Sequence, residues 1–176
     1  VIEFAMVLDD LENPLPLGDL PCFWAYVEHQ HYICEAEAIV MNARIFEKLA
    51  RKSPLTGVEQ ILAPGFLCSQ LWQWMQKHGY EPDHRDERTR FIAAGKNLDA
   101  FDLAFMNEME AWTSRFQPRA RKIDPGSMYA LHTDSEPPDM KTCLERAGIS
   151  HNYDHHALND CFATVKLVRK HMLGRF

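Results

Sequence analysis

The chain opens on an alternation. Ile2, Phe4, Met6 and Leu8 fall two apart, with Glu3, Ala5 and Val7 between them. A period of two belongs to a strand with one buried face, so a strand is expected over Val1–Leu8. The next stretch, 9–19, carries Pro14, Pro16 and Gly18 and reads as a turn region. Cys22–Glu28, rich in aromatic residues, predicts a second strand, and Tyr32–Val40 a third. Such consecutive strands predict an antiparallel start to a sheet. Helices are expected over Ala43–Lys52 and over Phe66–His78, the latter stopped by Gly79. Arg90–Ala94 predicts a short strand that runs into Gly95-Lys96-Asn97. Asp99 is then placed to cap a helix continuing to Trp112. Ala120–Ile123 predicts a strand ended by Asp124-Pro125-Gly126. Pro138–Ala147 predicts a helix closed by Gly148. Asp154 is placed to cap a last helix running to Met172. Its apolar stripe is Leu158, Cys161, Phe162, Val165, Val168 and Met172.

Mixed strands and helices in this order, joined mostly by short connections, describe one α/β or α+β domain of three layers over residues 1–176. A chain of 176 residues that is 46% hydrophobic and 25% charged has enough apolar surface for a sizeable core. No apolar run approaches the ~18–20 residues of a membrane span, so no membrane partner is expected. The first residues carry an acid and read as a strand, not as a signal peptide. They lack an initiator Met, so some upstream sequence is expected. The five cysteines (Cys22, Cys34, Cys68, Cys143, Cys161) are odd in number and form no CxxC pair. Reduced thiols in a cytoplasmic protein are the simple expectation, against a disulfide framework or a thiolate zinc site. The net charge of −6 argues against tight binding of long duplexes, which needs many cationic contacts to phosphate. It leaves room for a carboxylate site that holds divalent cations, because the cations themselves make the site locally positive.

Three acidic clusters carry candidate chemistry. In Asp10-Leu11-Glu12 the two acids, two apart, would share a face of an extended chain. Adjacent carboxylates repel unless a cation sits between them, and Mg²⁺ or Mn²⁺ suits such oxygen ligands. Asp102 follows Gly95-Lys96-Asn97 and Phe101 in the first turn of an expected helix. His155-His156-Ala157-Leu158-Asn159-Asp160 opens the last helix. Each cluster also has an ordinary structural account: a solvated strand end, or an acid that complements a helix dipole. The histidines His151, His155 and His156 also leave a zinc site open.

Taken together, these segments resemble the DEDDh 3′–5′ exonucleases, the DnaQ-like branch of the ribonuclease-H-like superfamily. Asp10 and Glu12 match the first motif, Asp102 the second, and His155 with Asp160 the third. Asp124, in Arg121-Lys122-Ile123-Asp124-Pro125-Gly126, resembles the family's segment between the second and third motifs. The resemblance implies a ribonuclease-H-like three-layer fold, a mixed central sheet flanked by helices. It implies two divalent cations, Mg²⁺ or Mn²⁺, held by Asp10, Glu12, Asp102 and Asp160, with His155 as general base. The implied reaction shortens single-stranded DNA or RNA from its 3′ end and releases 5′-mononucleotides. Asn13, Leu15, Lys96, Asn97 and Phe101 would lie near the terminal nucleotide. Here the chain departs from the family: Asn13-Pro14-Leu15 stands where many members have Thr-Thr-Gly. That departure keeps two alternatives open, a catalytically weak nucleic-acid-binding protein and a polymerase-associated proofreading or scaffold subunit. The family also admits homodimers. Trp72, off the main apolar face of its helix, is a candidate for base stacking. Two basic runs are candidates for phosphate contacts: Arg85, Arg88, Arg90, and Arg115, Arg119, Arg121, Lys122.

Overall fold

A computed structural model of the chain describes residues 1–52, 55, 57–150 and 156–174. The alternation at the start forms β1 (Glu3–Val7), which pairs antiparallel with β2 (Cys22–Val27), Phe4 opposite Ala25 and Met6 opposite Phe23. The third strand is not at Tyr32–Val40. That segment leads into α1 (Ala36–Met41), followed by α2 (Ala43–Arg51). Glu35-Ala36-Glu37-Ala38 are good helix formers. The β-preferring residues around them gain little from a sheet, since Ile33 and Val40 lie exposed. The third strand is β3 (Glu59–Leu62), parallel to β2, with Tyr26 opposite Ile61. A parallel pair needs a crossover, and the segment holding α1 and α2 supplies it. Next comes α3 (Pro64–Lys77), opened by proline in its first turn.

A second, two-stranded parallel sheet joins β4 (Thr89–Phe91) to β5 (Phe116–Pro118). The strand expected at Ala120–Ile123 is reduced to one bridge between Ala94 and Ile123. Pairing centres earlier because Phe116 is buried there, its ring 4.6 Å from that of Trp112. The helix expected from Asp99 to Trp112 is two: α4 (Asp102–Asn107) and α5 (Trp112–Arg115), separated at Ala111, whose φ is 64°. Asp99 does not cap; its carboxylate pairs with Lys122 at 2.7 Å. Asp124 does cap, accepting the Gly126 N–H at 2.7 Å to start α6 (Pro125–Met128). α7 (Met140–Ala147) begins with Asp139 accepting the Thr142 N–H and ends at Gly148 in the left-handed region. The last helix is α8 (Ala157–Leu173). Asp154, expected to cap it, lies outside the described residues.

Strand alternation divides the core. Phe23, Ala25 and Val27 of β2 join Phe4, Leu67, Leu71, Met75 and Trp112 in the main cluster. Trp24 and Tyr26 point the other way, onto Ile45 and Leu49 of α2. α8 lies along β1, its Cys161 thiol 3.5 Å from the Ala5 carbonyl oxygen. The result is a mixed α/β architecture with helices on both faces of the β1–β2–β3 sheet. Among the described residues, no helix is long and apolar enough to cross a membrane.

Two contacts fix the direction of α8. At its start the Ala157 N–H donates to Glu3 Oε2 at 3.3 Å. Near its end Arg169, 3% exposed, forks onto the Asp9 carboxylate and donates to the Leu15 carbonyl at 2.8 Å. α8 therefore runs alongside β1, its first turn at Glu3 and its last turns at the 9–15 turn.

Candidate functional site

Among the described residues β1 pairs with β2 on one flank, and β4 with β5 on one flank, the other flank of β4 being met only at Thr89 by a bridge to Pro82. Between the two remaining flanks lies a cavity of about 1220 Å³. Six of the residues that the resemblance assigns to the site line it, Asp10, Lys96, Asn97, Phe101, Asp102 and Asp160, as do Arg90 and Arg119 of the basic runs. Glu12, Asn13 and Leu15 are exposed and do not line it. His155 lies outside the described residues.

The cavity has two ends. Glu3 and the first turn of α8, which carries Asp160, mark one. Asp102 belongs to the same end, since its charge, with those of Asp160 and Glu3, acts on the Cys161 thiol. Burial first, and then those charges, push that thiol up to about 12. Asp10 stands at the other end, beside the Asp9–Arg169 pair, where its charge helps burial raise the Tyr80 phenol. Arg169 follows Asp160 by nine residues of helix, which is ~13 Å of rise. The structure thus brings Asp102 and Asp160 to one end. It does not bring Asp10 and Glu12 to them.

The reason is local. β1 ends at Val7, and residues 11–13 bend. Asp10 Oδ1 accepts the Glu12 N–H at 2.9 Å, and its Oδ2 accepts the Asn13 side-chain amide at 3.3 Å. These bonds, the Glu12 backbone first, hold the Asp10 carboxyl below its usual range. Asp10 therefore stabilises a turn, as Asp commonly does. The shared face expected of an extended Asp10-Leu11-Glu12 is absent.

Sequence reasoning missed Glu3. Its side chain is 7% exposed and accepts from Trp24 Nε1 (2.9 Å), Arg44 (3.2 Å) and the Ala157 N–H (3.3 Å). One carboxylate so ties β1, β2, α2 and the start of α8 together at the Asp102 end. The available signal was an acid inside the apolar run of a strand.

Asp102 is half-buried, and that burial raises its pKa. Lys96 donates to Asn97 Oδ1 at 2.6 Å, and Asn97 takes a φ of 55°. The Lys96 stem lies so close to Gly126 that a Cβ there would meet its Cε at 2.9 Å. A glycine at 126 thus lets Lys96 reach across. Phe101, 62% exposed, sits edge-on to Phe105, itself exposed, at 5.0 Å, and the sequence reading did not mark Phe105. Trp72 differs from expectation. It is half-buried, its Nε1 is buried with no partner, and Arg115 lies 4.8 Å over its ring. Three of the seven cations in the two basic runs are already paired: Arg88 and Arg90 with Asp86, and Lys122 with Asp99. Arg119 lines the cavity.

The two-cation site implied by the resemblance needs its carboxylates to converge. Among the described residues, no group of three or more His, Cys, Asp or Glu side chains is gathered to hold a metal ion. With Asp10 and Glu12 at the far end, the residues described do not fit that site as it stands. In comparisons with protein-family models, with curated proteins and with solved structures, nothing matches this chain.

Proposed function

We propose that the protein is a 3′–5′ exonuclease of ribonuclease-H-like fold acting on single-stranded DNA or RNA, and that its reacting end is the Asp102–Asp160 end of the cavity. One observation carries this reading. Acids from two helices distant in sequence, α4 and α8, meet at the same end of one cavity. Nothing in the core requires that meeting. Burial penalises the Asp102 carboxylate, a cost that function would explain.

The reading gives the chain's own residues these tasks. Lys96 and Arg119 attract phosphates. Phe101, with Phe105, offers an exposed aromatic surface to the terminal base, since stacking on such rings is how single strands are commonly held. Asp102 and Asp160 supply two of the acidic ligands that Mg²⁺ or Mn²⁺ would take in this chemistry. His155 is the general base the resemblance assigns, a role that histidine as a residue type suits near neutral pH.

A second reading is supported by the separation of Asp10 and Glu12 from the other acids: a nuclease-like protein that binds a strand without cutting it. Asp102→Asn and Asp160→Asn separate the two. Each is expected to lower hydrolysis of a labelled single-stranded oligonucleotide by at least about a hundredfold while strand binding persists. Wild-type rates in both variants would remove this end of the cavity from the reaction. Binding by the wild type with no hydrolysis under any divalent cation would favour the second reading.

A further inference from the structure

The cavity is bounded by two strand edges whose backbone groups are turned into it. In β1 the Ile2 carbonyl accepts the Val27 N–H at 2.9 Å, and the Leu8 N–H donates to the Pro21 carbonyl at 3.0 Å. An antiparallel ladder alternates between its two flanks. Ile2, Phe4, Met6 and Leu8 therefore face β2, and the backbones of Glu3, Ala5 and Val7 face the cavity. In β4 and its continuation, Phe91 O accepts from the Arg119 N–H (2.8 Å), Ala93 O from the Ile123 N–H (3.0 Å), and the Gly95 N–H donates to Ile123 O (3.0 Å). The same alternation turns Ile92 and Ala94 to the cavity. Among the described residues these facing groups have no backbone partner; Ala5 O receives only the long contact from the Cys161 thiol. None of these facing residues is buried, but an open edge is a template for another strand.

We propose that one further β-strand fills this cavity, bonded to β1 on one side and to β4 on the other, and that the segment of polypeptide leading into Val1 provides it. The two flanking strands run in opposite directions. The Glu3 end of β1 and the Lys96 end of β4 both adjoin Asp102 and Asp160. A strand that arrives through a tight turn before Val1 lies antiparallel to β1 and so parallel to β4. Neither direction conflicts with the other. The β2 flank is taken, so such a hairpin has one flank to occupy. Consecutive strands are commonly neighbours. Five to seven residues at ~3.3 Å each would cover β1 from end to end. The segment would be apolar on both faces. One face meets α8, through Val165. The other meets Trp112, which also packs on Phe4 at 6.4 Å. The exposure of Ile92, at 62% just past the end of β4, fits an edge that is meant to be covered. A sixth strand here would merge the two sheets into one.

The inference stands on backbone geometry and does not depend on hydrolysis. It is tested by NMR on the full-length protein as the cell makes it. The expected result is amide exchange at Ala5, Val7, Ile92 and Ala94 at least a hundredfold slower than in unfolded chain. Cross-strand contacts should run from both Ala5 and Ile92 to residues that precede Val1. Fast exchange at these amides would overturn the proposal. So would direct contacts between Ala5 and Ile92, meaning that the edges close on each other. So would contacts that appear only between differently labelled molecules, meaning that the strand comes from another copy.

Discussion

Replacing Arg169 by alanine removes one half of the ion pair that fastens the turn after β1 to α8. The Arg169 side chain is 4% exposed and that of Asp9 12%. Arg169 Nε donates to Asp9 Oδ2 at 2.9 Å, Nη2 donates to Oδ1, and Nη1 donates to the Leu15 carbonyl at 2.8 Å. Alanine leaves a nearly buried carboxylate without its partner and the Leu15 carbonyl without its donor. Breaking a buried pair on one side typically costs 3–5 kcal/mol, and the residual exposure of Asp9 places this case at about 3 kcal/mol. With a urea slope of roughly 2 kcal/mol per molar, the unfolding midpoint falls by about 1.5 M. The assay is urea unfolding followed by circular dichroism, with Asp9→Ala and the double variant measured alongside. The double variant should lose clearly less than the two singles together, because the second change removes the stranded charge left by the first. A midpoint for Arg169→Ala within about 0.3 M of the wild type would refute the reasoning, since a pair worth that little is not a buried one.

Three further outcomes follow from the same geometry. Trp112→Ala empties a fully buried site between Phe4 and Phe116 and is expected to cost about 3–5 kcal/mol in the same unfolding assay; a loss below 1 kcal/mol would mean the site is not core. Asp102→Asn should raise the melting temperature at pH 7. Burial raises the folded-state pKa of Asp102, so the native state favours the neutral acid, and the carboxylate's cost appears as pH rises through that value. The gain should vanish below the ordinary carboxylate value of 3.8, and a gain unchanged there would contradict it. Asp134 shows the opposite sign. Its hydrogen bonds from Arg146 hold it down to about 2, so its stabilisation is full above 3.8 and is lost as pH falls towards about 2. Asp134→Asn should flatten that part of the stability–pH curve, and an unchanged curve would show that the pair is screened away.

The strands and helices that rest on periodicity were legible in the sequence. β1, β2, α2, α3 and α7 lie within a few residues of where the apolar spacing puts them. Gly148 and Asp124 do what their residue types imply. Three features were not legible, each for a physical reason. β3 has only four residues, too few for a period, and owes its existence to pairing with β2. The split between α4 and α5 depends on a left-handed Ala111, which no local propensity announces. Tyr32–Val40 has strand-forming residues but no partner edge and little burial, so helix propensity decides its C-terminal part.

Legibility was lower at the site. Spacing placed Asp102 and Asp160 on helices, and the fold brings both to one end of the cavity. Spacing also treated Asp10 and Glu12 as an extended pair. A side chain that bonds its own turn cannot also project from a strand, and Asp10 spends both oxygens on that turn. Glu3, an acid within an apolar alternation, was the residue whose surroundings mattered at the other end.

The central claim is that this cavity serves the hydrolysis of a nucleic-acid 3′ end. Its most direct test is a degradation ladder run with the full-length protein on 5′-labelled single-stranded DNA and on the matching RNA, with Mg²⁺, with Mn²⁺ and with EDTA. The account predicts stepwise shortening from the 3′ end with a divalent cation, none in EDTA, and none from Asp160→Asn. Intact strands under every cation from well-folded wild-type protein, or equal shortening by Asp160→Asn, would contradict it.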